Sequence, residues 1–182
     1  MSAARTRKIS VVGARGVGKS TLVVQYVDNY FVESYYPTIQ NQFNKQIKFR
    51  NQTYEVEILD TAGQDEFTII TDSTIVHGYI LVFAINSRSS FDLLPVIRDK
   101  ILDSIGIDKV PMILVGNKLD LERKVSKDEG LKLAKEFEIP YIEVSAKLSN
   151  GENTDISKIF LGLLEQIEGE KIDTNNEKCI IM

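Results

Sequence analysis

Apolar and polar positions along this chain follow two periods, and the alternation between them outlines a fold. Ile9-Ser10-Val11-Val12 is a short apolar run of the kind a buried strand presents, and Thr21-Leu22-Val23-Val24-Gln25-Tyr26-Val27 reads as the helix after it. Phe43, Lys45, Ile47 and Phe49 fall at period two, as do Tyr54, Val56 and Ile58. Arg50-Asn51-Gln52 between them predicts a hairpin turn and an antiparallel pair. The run from Tyr79 to Ile85 is apolar throughout, as a strand covered on both faces should be. Met112-Ile113-Leu114-Val115 and Tyr141-Ile142-Glu143-Val144 predict the next strands. Leu93, Leu94, Ile97, Ile101, Leu102 and Ile105 mark one face of a helix, with Pro95 early enough to be tolerated. Ser126-Lys127-Asp128-Glu129 is a capping box opening a helix to about Phe137. Ile156, Ile159, Phe160, Leu163, Leu164 and Ile167 stripe a last amphipathic helix, which Gly169 should end. Strands and helices in this order predict an α/β architecture around a mainly parallel sheet. The polar, unpatterned residues 169–182 predict a flexible tail, leaving 1–168 as one domain.

Composition narrows the class without naming a function. At 182 residues, 43% apolar and 26% charged, the chain has the make-up of one soluble globular domain. A net charge of −4 argues against general nucleic-acid binding, which needs a basic face. No apolar run approaches the roughly 18 residues of a membrane span. The first eight residues lack the apolar stretch of a secretory signal, and Ser2 excludes myristoylation of a second-position glycine. Cys179 is the only cysteine, so neither an internal disulfide nor a Cys-based metal site is expected. A cytosolic compartment is the default these features leave.

The chemistry centres on Gly13-Ala14-Arg15-Gly16-Val17-Gly18-Lys19-Ser20, a G-x-x-x-x-G-K-S phosphate loop between a predicted strand and a predicted helix. Backbone N–H groups of such a loop point at a polyphosphate, Lys19 reaches the outer phosphates, and the Ser20 hydroxyl ligates Mg²⁺. Its helix N-terminus faces the same anion. The loop alone leaves ATP and GTP undecided. Leu59-Asp60-Thr61-Ala62-Gly63-Gln64 leaves a strand with a carboxylate placed for Mg²⁺, a glycine whose N–H can approach a terminal phosphate, and a glutamine that can orient water. A plain strand exit would carry the same residues. Asn117-Lys118-Leu119-Asp120 leaves the next strand: Asp120 can accept both donors of guanine, and Lys118 can lay its stem over the base. Adenine would leave that carboxylate unpaired. Backbone N–H groups of Ser145-Ala146-Lys147 can reach guanine O6.

With these motifs in place the chain resembles the Ras superfamily of small GTPases over residues 7 to about 168. The resemblance implies a P-loop G domain: a six-stranded, mostly parallel sheet with one antiparallel strand and helices on both faces. It implies Mg²⁺ and GTP or GDP as ligands, and two switch loops that relax on hydrolysis. Nucleotide contacts would come from Arg15, Gly16, Val17, Gly18, Lys19, Ser20, Thr21, Val32, Glu33, Tyr35, Thr38 and Gly63, with Asn117, Lys118, Asp120, Ser145, Ala146 and Lys147 at the base. Ser20, Thr38 and Asp60 would hold Mg²⁺. Gln64, Lys19 and Arg15 would be the catalytic group, and Tyr35, Pro37, Thr38, Ile39 and Phe43 the effector segment. Within the superfamily the chain is most similar to the Rheb branch, whose mark is arginine at position 15 where most members carry glycine. Glu33-Ser34-Tyr35-Tyr36-Pro37-Thr38 and the run from Asp60 to Glu66 read the same way. A bulky cation there should obstruct an arginine finger. The branch therefore implies slow intrinsic hydrolysis, a tuberous-sclerosis-type GAP that supplies asparagine, and the target-of-rapamycin kinase complex as effector. It implies a monomer by family habit.

One segment departs from the family. Phe67 to Gly78 is shorter than the second switch of family members and rich in β-branched residues, which predicts an irregular switch and a less certain place for Gln64. His77 has no Cys, Asp or Glu cluster near it in sequence and reads as structural. Cys179-Ile180-Ile181-Met182 fits C-a-a-X with methionine last, so farnesyltransferase is an expected partner. One lipid chain without a polybasic stretch or second cysteine predicts weak, exchangeable attachment to the cytoplasmic face of internal membranes, with a cytosolic pool. Two rivals stand: a Ras- or Rap-like switch with another effector, and a binding module that holds GTP without turnover. A P-loop kinase is more distant, since nothing resembles an acceptor lid.

Overall fold

A computed structural model describes residues 4–31, 33–34, 36–65, 76–147 and 156–180, with side chains as far as Gly169. The strands are β1 (Arg5–Gly13), β2 (Gln40–Phe49), β3 (Gln52–Thr61), β4 (Gly78–Ala84), β5 (Met112–Asn117) and β6 (Tyr141–Glu143). They form a six-stranded sheet in the order β2-β3-β1-β4-β5-β6. Only β2 and β3 pair antiparallel; the other neighbours are parallel. That pair is the predicted hairpin. Its turn residues Arg50 and Asn51 both take positive φ, 48° and 63°, the mirror-image turn whose twist matches the strands it joins.

Among the described residues, five helices flank the sheet: α1 (Lys19–Asp28), α2 (Arg88–Asp92), α3 (Leu94–Ile105), α4 (Lys127–Phe137) and α5 (Ser157–Ile180). The apolar run of β4 divides between two cores, one on each face. Ile80, Val82 and Ala84 join Leu22 and Val23 of α1 and Ile159, Phe160 and Leu163 of α5. Tyr79, Leu81 and Phe83 join Leu94, Ile97 and Ile101 of α3 and Ala134 and Phe137 of α4. A strand whose two faces are both covered has no polar side to show, hence the unbroken apolar sequence.

Local signals place the helix ends. Ser126 caps α4 reciprocally with Glu129, and Pro95 sits in the first turn of α3. The short α2 falls in a stretch with no helical stripe, its start fixed by Ser87 accepting from the Ser90 N–H. Gly169 does not end α5, which continues to Ile180: glycine weakens a helix by about 1 kcal/mol but does not forbid it, and no proline follows. His77 is structural, pairing its N–H with the Lys8 carbonyl and accepting the Lys8 N–H on Nδ1. The predicted irregular second switch lies outside the described residues. Among the described residues no helix is long and apolar enough to cross a membrane.

At the far end from the phosphate loop, the first strand is fastened to the last helix. Glu168, 2% exposed, accepts from Arg7 Nε at 2.5 Å, Tyr54 Oη at 3.2 Å and Arg5 Nη1 at 3.3 Å. Burial by itself would raise this carboxyl, but the Arg7 hydrogen bond and charge, with Tyr54 and Arg5, together outweigh it and the net shift is downward.

Candidate functional site

Parallel strands bring their C-terminal ends to one edge, where the loops after β1, β3, β5 and β6 meet around a cavity of about 460 Å³. The loop after β1 owes its path to glycine. Gly18, the residue before α1, has φ 95°, and a Cβ on it would lie 2.4 Å from Asn117 Nδ2. Gly13 is held against the backbone of β4: a Cβ there would come within 2.2 Å of the Val82 carbonyl oxygen.

Lys19 folds back over this loop, its ammonium donating to the carbonyls of Gly13 and Ala14 at 3.0 and 2.9 Å. Burial lowers its pKa to about 8, against the pull of Asp60 and with the help of Arg15. Two cations, Lys19 and Arg15, thus face one cavity, an arrangement that an entering polyphosphate would relieve.

A second group of residues gathers beneath them. The hydroxyls of Ser20 and Thr38 lie 2.7 Å apart, joining the start of α1 to the loop before β2. Asp60 at the end of β3 is fully buried, and neither carboxylate oxygen has a hydrogen-bond partner. Burial pushes its pKa up; the Ser20 hydroxyl and Lys19 ammonium pull the other way and do not cancel it. An unpartnered buried carboxylate beside two hydroxyls fits a hard divalent cation, which takes oxygen ligands of these types.

The base end is built from struts between loops. Asn117 is buried; its Nδ2 donates to the Val17 carbonyl at 2.9 Å, and its Oδ1 accepts the Ala146 N–H at 3.2 Å. Lys118, at φ 66°, crosses to the Gly16 carbonyl at 2.6 Å. Ser145 donates its hydroxyl to Asp120 Oδ1. Phosphate loop, Asn-Lys-x-Asp loop and Ser-Ala-Lys loop are therefore one connected unit.

Most of the predicted site residues line the cavity: Arg15, Gly16, Gly18, Lys19, Ser20, Thr21, Glu33, Thr38, Gly63, Asn117, Lys118, Asp120, Ala146 and Lys147. Others lie behind its wall. Val17 is buried in the core with its carbonyl turned to Asn117, Ser145 is buried behind Asp120, and Asp60 sits below the floor. Gln64 is buried too. Its backbone N–H donates to the Gly13 carbonyl at 2.9 Å and it bridges to Ala14, so its main chain is fastened to the phosphate loop. Gly63 presses on Arg15, and a Cβ on it would lie 2.6 Å from the Arg15 Cα. Tyr36 and Ile39, which flank Pro37 and Thr38, are 76% and 90% exposed, while Phe43 packs against the core. Val32 and Tyr35 lie outside the described residues, and Cys179 falls within the last turn of α5, beyond the described side chains. Phe31 and Leu121 also line the cavity. Periodicity misses them because single apolar residues in loops carry no pattern; for Leu121 the place directly after Asp120 was a signal.

Fold and site together define a P-loop nucleotide-binding protein. The chain belongs to the Ras family, whose family model matches residues 8–169. It is 46% identical to Small monomeric GTPase RhbA of Aspergillus fumigatus, over 100% of this chain and 99% of that protein. It is 46% identical to GTP-binding protein rhb1 of Schizosaccharomyces pombe, over 92% of this chain and 91% of that one. To GTP-binding protein Rheb of Rattus norvegicus it is 44% identical, over 95% and 93% of the two chains. It is thus a Rheb-like small GTPase of the switch class, with guanine nucleotide as the expected ligand of its family.

Proposed function

We propose that this chain is a GTP-operated switch of the Rheb type that hydrolyses GTP slowly and, loaded with GTP, activates the target-of-rapamycin kinase complex. The observation that carries this reading is Arg15 pressed against Gly63 at the cavity wall, with Gln64 buried beside them. An arginine side chain at this wall would obstruct the approach of a partner's arginine finger, and a buried glutamine side chain is poorly placed to orient water. Both features favour a slow intrinsic rate and a GAP that works without arginine, of the tuberous-sclerosis type.

In this reading Lys19 releases its loop carbonyls to pair with the outer phosphates, and the loop N–H groups take the remaining oxygens. Asp120 accepts from guanine, with Ser145 holding its other edge, and Lys118 covers the base. Ser20, Thr38 and Asp60 would hold Mg²⁺, which supplies neutralisation of phosphate charge when bound. Pro37 and Ile39 form the outer surface of the effector segment, with Tyr36 at the cavity rim. Cys179 is the farnesylation site, and its single lipid attaches the protein reversibly to the cytoplasmic face of internal membranes.

The test is single-turnover hydrolysis of γ-labelled GTP with Mg²⁺, comparing wild type with Arg15→Gly. Slow phosphate release that quickens in the variant supports a restrained, GAP-dependent switch. A second reading, a binding module that keeps GTP without turnover, is favoured by the burial of Gln64. Absence of release from both proteins would decide for it.

A further inference from the structure

The two loops that face the base come from neighbouring strands, and past the paired residues two backbone hydrogen bonds still join them: Val144 N–H to the Gly116 carbonyl at 2.8 Å and Leu119 N–H to the Val144 carbonyl at 3.1 Å. β6 spans only Tyr141–Glu143 at the sheet edge, and its register with β5 ends at Gly116 opposite Glu143. Beyond that point one chain runs into Ser145-Ala146-Lys147 and the other into the Asn117–Asp120 loop.

A fork of charge closes the gap from outside the cavity. Arg123 donates from Nη1 and Nη2 to the two carboxylate oxygens of Glu143, at 2.7 and 2.9 Å. Its Nη1 also donates to the Val125 carbonyl at 3.1 Å, and Tyr141 donates its hydroxyl to Glu143 Oε1 at 2.6 Å. The Glu143 side chain is 10% exposed and that of Arg123 32%. The seat under Glu143 is rigid, because the Tyr141 ring fills the space over Gly130 so tightly that a Cβ there would come within 2.3 Å of it. None of Arg123, Tyr141 and Glu143 lines the cavity. A planar fork on a largely buried carboxylate fixes orientation as well as distance, unlike the usual exposed ion pair.

We propose that Arg123 and Glu143 are positioning residues for the nucleotide's base: their fork fastens the loop after β5 to β6 and so keeps Asp120 on Ser145 and Asn117 on Ala146. The proposal rests on the guanine-nucleotide reading above. With the fork opened, the Ser145–Asp120 and Ala146–Asn117 hydrogen bonds and the backbone bond from Leu119 to Val144 are left to hold the two loops at their spacing, and none of them fixes the angle of the Asp120 side chain from outside the cavity. The carboxylate of Asp120 then loses its fixed angle to the base. The phosphate end, held by Lys19 and the glycine loop, has no part in the fork.

The experiment is release of fluorescently labelled GDP and labelled inosine diphosphate from the full chain, chased with unlabelled GDP in Mg²⁺. Wild type, Arg123→Gln, Glu143→Gln, the double variant and Arg123→Lys are compared. Inosine lacks the exocyclic amine that Asp120 accepts from guanine, so the ratio of the two release rates reports how well Asp120 is aimed. Each single variant should release GDP faster by on the order of tenfold, and the double variant no faster than the worse single. The GDP-to-inosine preference should shrink in step, with Arg123→Lys between the extremes because an ammonium cannot fork. Release of GDP within about twofold of wild type in both singles, or equal acceleration of both nucleotides, would overturn the clamp. Wild type that fails to retain GDP at all would sink the nucleotide reading itself, and the clamp with it.

Discussion

Replacing Glu168 with glutamine should weaken the fold and leave the nucleotide loops alone. The carboxylate accepts two charged donors and one hydroxyl: Arg7 at 2.5 Å, Arg5 at 3.3 Å and Tyr54 at 3.2 Å. Arg5 is more than half exposed, so its share is discounted to at most a few tenths of a kcal/mol by solvent screening. Arg7 is only 14% exposed and Tyr54 is buried, and a neutral amide with one acceptor oxygen in place of two removes the charge to which the shielded arginine and the hydroxyl both donate. Losing a charge-assisted hydrogen bond and leaving a shielded donor short gives a cost of about 2 kcal/mol. For a chain of this length that is a fall in Tm of roughly 4–8 °C. The sign of the pH effect follows from the folded carboxyl lying below its ordinary value of 4.5. Its contribution is complete above about pH 4.5, the unfolded value, and drains away as pH falls through the folded one. Urea unfolding of wild type and Glu168→Gln in saturating GDP, at pH 7 and near pH 4, tests this. The midpoints should differ at pH 7 with unchanged slopes, and the gap should narrow at the lower pH. A gap that is absent at pH 7, or as wide near pH 4, would refute the electrostatic argument.

Further predictions concern the site. Gly18→Ala puts a methyl 2.4 Å from Asn117 Nδ2 at a φ of 95°, so GDP affinity should fall by at least about tenfold in equilibrium titration. In wild type, chelating Mg²⁺ with EDTA should speed GDP release by roughly tenfold or more. Asp60→Asn should release GDP fast already and respond to EDTA by less than about twofold, because the carboxylate fitted to the cation is gone. Ser126→Ala removes one half of the α4 capping box and should cost about 1 kcal/mol in denaturant melts, with GDP release unchanged.

What was legible in the sequence was whatever is encoded within a few residues. The phosphate loop, the Arg50-Asn51 turn and the Ser126–Glu129 box each carry their geometry in their own chemistry, and the strands around them carry a period. The hairpin pair and the mainly parallel character of the sheet were legible from those strands, whereas the order β2-β3-β1-β4-β5-β6 is read from the structure. Gly169 misled because a glycine after a helical stripe marks a stop only when the next residues leave the helix, and here they continue it. The five-residue α2 was hidden because it is too short to show a stripe. Arg7 with Glu168 and Arg123 with Glu143 were invisible for a different reason. Partners 161 and 20 residues apart share no period, and only the folded topology brings them together. The placement of Gln64 belongs to the same class, since its backbone N–H is held by the Gly13 carbonyl at the end of the neighbouring strand.

Thr38 turns its hydroxyl inward to Ser20 while its neighbour Ile39, which does not line the cavity, stands in open solvent. Over this short span the backbone works like a page printed on both sides. A change of one ångström at the inner hydroxyl cannot be kept private, because the peptide that carries it also carries the outer side chains. On the proposed reading, whatever occupies the cavity would be announced on the exterior without a relay through the core, and a reader outside would need to recognise only the arrangement of a few side chains.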